Sequence, residues 1–308
     1  MRATWARALD DRSSVDAPDQ AVTVGITGAP GAGKSTLNAA LCAELLRRGR
    51  SIAVLAIDPS SPFSGGAILG DRVRMGDVAG DEHLYIRSMA TRGHLGGLAG
   101  ATNDAIAVLG ATGRDLVIVE TVGVGQVETD IVDSADTTVV VVNPGWGDAI
   151  QANKAGLMEI ADVFVVNKAD REGARDTIAD LEGMLNLAGA RAAHTARPAD
   201  GAGDEPVWRP PVVATVGTTG EGVGELADAL EAHAAHQRRT GELDRRRAQH
   251  RSQRLREVAL GRVGRELDDL LATDWGAALR AEAEGARIDP WSAADRLLQR
   301  LASRLSDD

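Results

Sequence analysis

The chain of 308 residues is 44% hydrophobic and 26% charged, an ordinary globular composition that suits one large α/β domain with an appendage, or two domains. Its 34 Lys and Arg against 45 Asp and Glu give a net charge of −11, which disfavours nonspecific binding to nucleic acid or to anionic membranes. A single cysteine argues against internal disulfides. The chain has no apolar run of roughly 18 residues, which argues against a membrane span, and its N-terminus lacks the apolar centre of a signal peptide. Together these features predict a cytosolic protein.

Seven short runs rich in β-branched residues predict strands. They are almost continuously apolar rather than alternating, as in strands covered by helices on both faces. Because longer amphipathic segments separate them, the pattern predicts an α/β fold with a doubly wound, mostly parallel sheet. The predicted strands are 22–27, 51–57, 83–88, 115–120, 137–142, 162–167 and 211–215, and the predicted helices are 34–48, 98–109, 148–161 and 174–187.

A glycine-rich stretch, "GAPGAGKST" at 28–36, follows the first predicted strand and opens the first helix. It fits the pattern G-x-x-x-x-G-K-[ST] of a P-loop NTPase, in which backbone N–H groups and the helix N-terminus surround phosphates. Lys34 should reach the β- and γ-phosphates, and the hydroxyl of Ser35 should bind Mg²⁺. The predicted phosphate-binding residues are Gly28, Ala29, Pro30, Gly31, Ala32, Gly33, Lys34, Ser35 and Thr36.

Three carboxylates are candidates for a magnesium site. Asp58 ends the second predicted strand, Asp71 lies beyond a Ser- and Gly-rich segment, and Glu120 ends the fourth strand in "LVIVETVGVGQ". Together with Ser35 they form an oxygen-only set of the kind that Mg²⁺ prefers.

The tetrapeptide "NKAD" at 167–170 closes the sixth predicted strand. The carboxylate of Asp170 can accept hydrogen bonds from guanine N1–H and N2–H₂, whereas adenine offers neither donor, so ATP should be rejected. Asn167 would bond the far edge of the base, and the stem of Lys168 would lie over its face. Ligands of open α/β sheets bind at the carboxyl ends of the strands, so this placement predicts a guanine nucleotide, GTP or GDP.

A third loop around the base should follow the last strand, and "TVGTTGEG" at 215–222 lies there. Many G proteins carry Ser-Ala before this turn. Here Val216 and Gly217 stand instead, so a backbone contact to the base is expected without a serine hydroxyl.

The C-terminal part of the chain changes character. Residues 189–210 lack periodicity and predict an exposed loop before the last strand. Beyond 225 the strands stop and leucine stripes at helical spacing begin, with a predicted helix start at Ser292. Six arginines between 245 and 256 are interpreted as a solvated helix face. The predicted organisation is a short N-terminal extension at 1–21, a nucleotide-binding domain at 22–225 and a helical region at 226–308.

Several motifs together resemble the GTPases associated with methylmalonyl-CoA mutase, a family once labelled as transport ATPases for lysine, arginine and ornithine. The match runs in order from about 22 to 226. It implies a GTP-hydrolysing chaperone for an adenosylcobalamin-dependent acyl-CoA mutase, which gates cofactor loading or protects the mutase. The motifs are "GITGAPGAGKST", "DPSSPFSGGAILGDRVRM", "TRGHLGGL", "ETVGVGQ", "GDAIQANKAGLMEIAD" and "NKAD".

The resemblance also implies roles for single residues. Glu120 takes the position of the usual aspartate in the magnesium network, and the following glycines, Gly123 and Gly125, belong to a loop that responds to the γ-phosphate. Residues 143–154 match an extra switch toward the mutase. Its polar residues are Asp148, Gln151 and Lys154.

Two features of the chain depart from the family or match it loosely. Family members usually carry helices before the first strand, whereas this chain has only some 21 residues there. Members often dimerise through C-terminal helices, and the apolar stripe over 260–270 permits a homodimer although its sequence is only loosely similar.

Hydrolysis of GTP requires an aligned water and neutralised charge. Lys34 and Glu120 are the expected contributors to the charge network, and Gln126 is the candidate for aligning the water. Arg74 could act as an arginine finger once a partner orders its segment, so slow basal turnover is expected.

Other nucleotide-dependent functions remain open. A metallochaperone GTPase for nickel or zinc would need cysteine or histidine clusters, and this chain has one cysteine and six scattered histidines. A small-molecule kinase or a transport ATPase shares the phosphate loop but does not need the tetrapeptide NKAD at 167–170, which is called the guanine tetrapeptide below.

Overall fold

One parallel sheet of seven strands organises the part of the chain that the computed structural model describes, which is residues 21–58, 80–90, 99–121, 134–145, 159–195 and 207–306. All seven predicted strands are present within one or two residues of the expected bounds. The strands are β1 Val22–Gly28, β2 Ile52–Asp58, β3 Leu84–Ala90, β4 Leu116–Thr121, β5 Thr137–Val142, β6 Val163–Asn167 and β7 Val212–Thr215. The helices are α1 Lys34–Arg47, α2 Ala99–Gly110, α3 Ala174–Thr195, α4 Val223–Thr240, α5 Glu242–Leu271, α6 Asp274–Glu284 and α7 Pro290–Ser306.

The strand order is β3-β2-β4-β1-β5-β6-β7, and every pairing is parallel. β1 lies at the centre, between β4 and β5. Because all the strands run the same way, their carboxyl ends meet at one edge, where ligands of such sheets bind. The predicted doubly wound α/β fold is confirmed.

Helices cover both faces of the sheet. α1 and α4 pack on one face, through residues such as Leu41 and Leu226, against Val24 and Ile118 of the strands. α2 covers β2 and β4 on the opposite face, and α3 covers β5 and β6 there. Alternate residues of a strand point to opposite faces, so Glu120, two residues after Ile118, lies on the face that α1 covers.

Two local predictions are wrong. Residues 189–195 continue helix α3 instead of beginning a loop, because this alanine-rich stretch has high helix propensity despite its glycine. Helix α7 begins at Pro290 rather than at Ser292: the Asp289 carboxylate accepts hydrogen bonds from the backbone N–H groups of Trp291 and Ser292, both at 3.0 Å. Asp before Pro is a common helix start.

The arginines of α5 are only in part a solvated face. Arg246 forms two hydrogen bonds with the carboxylate of Asp162, at 2.7 and 3.0 Å, and Arg247 binds Asp136 at 2.6 and 2.8 Å. The interpretation of the whole arginine run as solvent-exposed is therefore wrong for these two residues. A sequence pattern cannot show that the helix returns to the amino ends of β5 and β6.

The chain divides into two compact units after His250. The first unit includes the sheet and α4, which the sequence had assigned to the helical region beginning at 226. In the second unit α6 and α7 contact each other, and the Arg300 guanidinium lies 5.6 Å from the centre of the Trp275 ring. Among the described residues, the helices are too short or too polar to cross a membrane.

Candidate nucleotide-binding site

The phosphate loop connects β1 to α1 at the carboxyl edge of the sheet. Gly28 ends β1 with φ 133°, and a Cβ atom at this position would meet the backbone carbonyl of Val141 in β5. Gly33 caps α1 with φ 87°, and a Cβ there would lie 2.5 Å from Nδ2 of Asn167. Both glycines of the pattern are therefore required by the backbone and its neighbours.

Lys34 holds a positive charge inside this loop. The residue is buried, with 6% of its surface exposed, and its Nζ donates hydrogen bonds to the carbonyl oxygens of Gly28 at 2.7 Å and Ala29 at 3.1 Å. The neighbouring Pro30, Gly31 and Thr36 are exposed. The loop therefore places a buried ammonium group where the sequence predicted contacts to phosphate.

Glu120 lies next to this loop, completely buried at the carboxyl end of β4. Its backbone pairs with Ile26 of β1 and Ala56 of β2. Its Oε1 accepts a hydrogen bond from the hydroxyl of Ser35 at 2.6 Å, and its Oε2 accepts one from the amide of Asn38 at 2.9 Å. A buried carboxylate is costly unless it is hydrogen-bonded, and α1 supplies both bonds.

Asn38 and Cys42 extend this network along α1. The Cys42 thiol donates to Oδ1 of Asn38, with 3.6 Å between sulfur and oxygen. Burial, and then the negative charge of Glu120, raise the pKa of the Cys42 thiol to about 12, so it keeps its proton. The sequence analysis missed Asn38, although its position three residues after Ser35 places it on the same side of the helix.

The donor set of this pocket fits Mg²⁺ in chemistry. Ser35 and Glu120 bring a hydroxyl and a carboxylate together, and both offer the oxygen atoms that Mg²⁺ prefers. The backbone of Asp58 ends β2, which pairs with β4, and so lies at the same edge. No group of three or more His, Cys, Asp or Glu side chains within the described ranges is arranged to hold a metal ion, and the Asp58 side chain and Asp71 lie outside those ranges.

Asn167 connects three loops at the carboxyl end of β6. Its Nδ2 donates to the carbonyl oxygen of Ala32 in the phosphate loop at 2.8 Å. Its Oδ1 accepts from the backbone N–H of Gly217 at 3.0 Å and from the hydroxyl of Thr215 at 3.2 Å. The sequence predicted the neighbourhood of these segments but not Thr215, which no nucleotide-binding pattern marks.

The rest of the guanine tetrapeptide lies beside the phosphate loop. Lys168 adopts a left-handed backbone conformation with φ 60°, and its Nζ donates to the carbonyl oxygen of Gly31 at 2.6 Å. Asp170 is exposed. Val216 begins a turn in which its N–H donates to Glu221 at 3.0 Å. The phosphate loop, the tetrapeptide and the third loop are thus neighbours at one edge.

The structure leaves several predicted residues without a description. They belong to the segments expected to sense the γ-phosphate or the partner. The residues outside the described ranges are Asp71, Arg74, Gly123, Gly125, Gln126, Asp148, Gln151 and Lys154, and residues 148–158 of the predicted helix 148–161 lie outside them as well.

Comparison with known proteins gives a consistent result. The family model for the methylmalonyl-CoA mutase-associated GTPase MeaB matches residues 5–269. A Pyrococcus horikoshii protein whose name describes a GTPase is 46% identical over 281 residues, which is 91% of this chain and 84% of that protein. The mouse methylmalonic aciduria type A homolog, a mitochondrial protein, is 38% identical over 232 residues, 74% of this chain and 53% of the mouse protein.

A solved structure agrees in fold. The crystal structure of a LAO/AO transport system kinase superposes with a TM-score of 0.60 at 25% sequence identity, covering 98% of this chain and 93% of that chain.

Proposed function

The chain belongs to the methylmalonyl-CoA mutase-associated GTPases, and from this membership we propose that it binds and hydrolyses GTP and serves as a chaperone of an adenosylcobalamin-dependent acyl-CoA mutase. The observation that carries the nucleotide part is the hydrogen-bonded junction of Asn167 with Ala32 and Gly217. It sets the guanine tetrapeptide and the phosphate loop at one edge, within reach of a single nucleotide.

The base is recognised at the exposed end of this junction. Asp170 accepts the two guanine donors, and the Lys168 stem lies against the base. The backbone of Val216 and Gly217 closes the third side. A carboxylate in this role rejects adenine, because adenine would leave it without hydrogen bonds.

The phosphates lie in the loop, where Lys34 and the backbone N–H groups neutralise their charge. Ser35, Asp58, Asp71 and Glu120 would hold Mg²⁺, which supplies further charge neutralisation at the β- and γ-phosphate oxygens. No covalent chemistry is required of the protein.

Alignment of the attacking water is the remaining requirement. We assign it to Gln126, with Arg74 able to stabilise the transferring phosphoryl group when the mutase is bound. Without that partner the reaction is slow.

The partner is proposed from the names of relatives together with the family's description. The family model is described as mutase-associated, and the mouse relative is named after methylmalonic aciduria. Residues 143–154 would carry the nucleotide state to the mutase through Asp148, Gln151 and Lys154. The exposed Leu260 and Val263 of α5 support a homodimer through the C-terminal helices.

The function is tested by measuring nucleotide turnover with candidate mutases. The purified chain is mixed in turn with methylmalonyl-, isobutyryl-, ethylmalonyl- and 2-hydroxyisobutyryl-CoA mutases, and release of phosphate from GTP and from ATP is followed. We expect slow GTP hydrolysis alone, an increase with one mutase and no comparable ATP hydrolysis. Lys154→Ala should bind GTP normally but lose the increase.

Three results would each contradict part of the proposal. Equal hydrolysis of ATP and GTP would remove the guanine assignment. Turnover unchanged by every mutase would remove the chaperone role, and equal stimulation of Lys154→Ala and the parent would remove residues 143–154 from the signalling route.

A further inference from the structure

Asn38 contacts the proposed magnesium ligand Glu120 from α1, one helical turn beyond the phosphate loop. It is completely buried on α1, and its Nδ2 donates to Oε2 of Glu120 at 2.9 Å, while Ser35 donates to Oε1. We propose that Asn38 is a positioning residue that fixes the Glu120 carboxylate for Mg²⁺ binding. The inference rests on the proposed function, in which Glu120 and Ser35 belong to the magnesium site.

The two residues of α1 hold the carboxylate in different ways. Ser35 has oxygen lone pairs that bind a metal directly, so its bond to Glu120 is part of the site itself. The amide NH₂ of Asn38 has no lone pair for a metal. It can therefore orient Glu120 without competing for the ion, which is the usual role of a residue behind a metal ligand.

The Glu120 carboxylate bridges two residues of α1. Ser35 and Asn38 are three residues apart and lie on the same side of α1, so one carboxylate must extend from β4 to meet both. A glutamate has several rotatable bonds, and two hydrogen bonds to one rigid helix restrict them together. Loss of Asn38 would leave the carboxylate with fewer fixed contacts and a less defined orientation.

Glu120 determines which end of the Asn38 amide faces it. An ionised carboxylate only accepts hydrogen bonds, so the NH₂ group of Asn38 must lie toward Glu120. The Cys42 thiol, which can donate or accept, then donates to the free Oδ1 of the amide. Both ends of the buried amide therefore have a partner in this orientation.

The test measures magnesium binding without measuring hydrolysis. Release of a fluorescent GDP analogue from the full chain is followed while Mg²⁺ is titrated, and the Mg²⁺ concentration that gives half-maximal slowing is determined. In Asn38→Leu, which keeps the branched shape of the side chain but removes the donor, we expect this midpoint to rise about 10-fold or more. Release in the absence of Mg²⁺ should change less than about twofold, since no nucleotide contact is lost.

Two further variants separate positioning from loss of stability. Leu45→Ala removes a buried apolar contact near the end of the same helix, distant from Glu120. It should lower the melting temperature without changing the Mg²⁺ concentration at the midpoint. In a Glu120→Gln background, Asn38→Leu should have no additional effect, because Asn38 acts only through Glu120. Should Asn38→Leu fail to fold, Asn38→Ala removes the same donor without adding apolar bulk.

The outcomes distinguish this inference from the proposed function. If Mg²⁺ slows release in the parent and in Asn38→Leu at the same concentration, the positioning role is wrong while the proposed function stands. An equal shift in the Glu120→Gln background would also overturn it. If Mg²⁺ has no effect on release from the parent, the magnesium site of the proposed function fails, and this inference fails with it.

Discussion

In the proposed function base selection depends on Asp170, whose exposed position allows the role to be tested by substitution. Asp170→Ala removes two hydrogen bonds between a charged acceptor and guanine, so affinity for GDP should fall about 100-fold or more. Affinity for ADP should stay weak. Calorimetric titration of both nucleotides measures the change, and the melting temperature without nucleotide should be unaltered, because the side chain is exposed.

Asp180→Ala is the matched control for this variant, since it removes another exposed carboxylate, on α3. It should bind GDP like the parent. Retained preference for GDP over ADP in Asp170→Ala would refute the assignment of the base.

Single residues differ in how far their roles could be predicted. Lys34, Ser35 and Asn167 belong to short patterns that recur because phosphate and base impose fixed backbone geometry, so their neighbourhood was predictable. Asn38 and Thr215 act through contacts with residues distant in sequence, Glu120 and Asn167. Such contacts depend on the tertiary fold, and no local pattern records them.

At the scale of elements, the first turns of α5 are joined to the amino ends of two strands. Arg246 pairs with Asp162 before β6, and Arg247 pairs with Asp136 before β5. Both carboxylates also accept backbone N–H groups, from Thr138 at 2.8 Å and from Thr23 at 2.9 Å respectively. The first turns of the helix are thus held at the amino ends of the strands, opposite the carboxyl edge where the nucleotide is proposed to bind.

Removal of one arginine should show what this attachment contributes. Arg246→Met keeps much of the aliphatic stem and leaves the Asp162 carboxylate, whose side chain is 11% exposed, without its guanidinium. We expect a loss of about 2–4 kcal/mol in the free energy of unfolding, near the value for a broken buried pair. Urea denaturation followed by circular dichroism measures it.

Arg256→Met provides the comparison, because Arg256 is an exposed arginine of the same helix. Its effect should stay within about 0.5 kcal/mol. Equal losses in the two variants would mean that the pair with Asp162 adds nothing.

The elements themselves were largely predictable. Runs such as 137–142 and 162–167 are rich in valine and almost continuously apolar because helices cover both faces, and this pattern separates them from helices. The end of α3 was not predictable from its glycines and alanines, since the same composition occurs in loops. The attachment of α5 to the amino ends of β5 and β6 could not be predicted, because it depends on where the helix lies in the tertiary fold.

At the scale of the whole molecule, stability should depend on pH through His233. Its Nδ1 lies 2.9 Å from the hydroxyl of Thr137, its Nε2 lies 3.4 Å from Asp162, and Trp208 packs on the ring. Burial lowers the pKa of His233 below its ordinary 6.5, with the Arg246 charge acting in the same direction and Asp162 opposing.

The sign of the effect follows from the lowered pKa. As pH falls through 6.5 the unfolded chain gains a proton at this histidine that the folded chain does not, so the free energy of unfolding decreases toward acid. The loss is about 1.4 kcal/mol for each unit by which the pKa is lowered. Urea denaturation between pH 7.5 and about 5.5, above the range where most carboxylates titrate, measures it.

His233→Gln should reduce this slope, whereas His83→Gln, which changes an exposed histidine, should leave it as in the parent. A slope that is identical in all three proteins would exclude His233 as its source.

The family and the fold could both be predicted from ordered motifs, and both are confirmed. The partner could not be derived from residues, because the surface that meets another protein follows no fixed spacing. The division after His250 was also not predictable, since α4 has the amphipathic pattern of any helix, whether it covers a sheet or joins a helical region.

The bonds of Asn167 join the base end and the phosphate end of the proposed nucleotide site. A small compound that fills only the purine end should restrain the Asn167 side chain. Through the bond to Ala32 it should also restrain the phosphate loop before any phosphate binds. Fragments that bind the two ends should therefore strengthen each other's binding, because the first fragment has already ordered residues that the second one contacts. An inhibitor that links the two fragments should bind more tightly for the same reason.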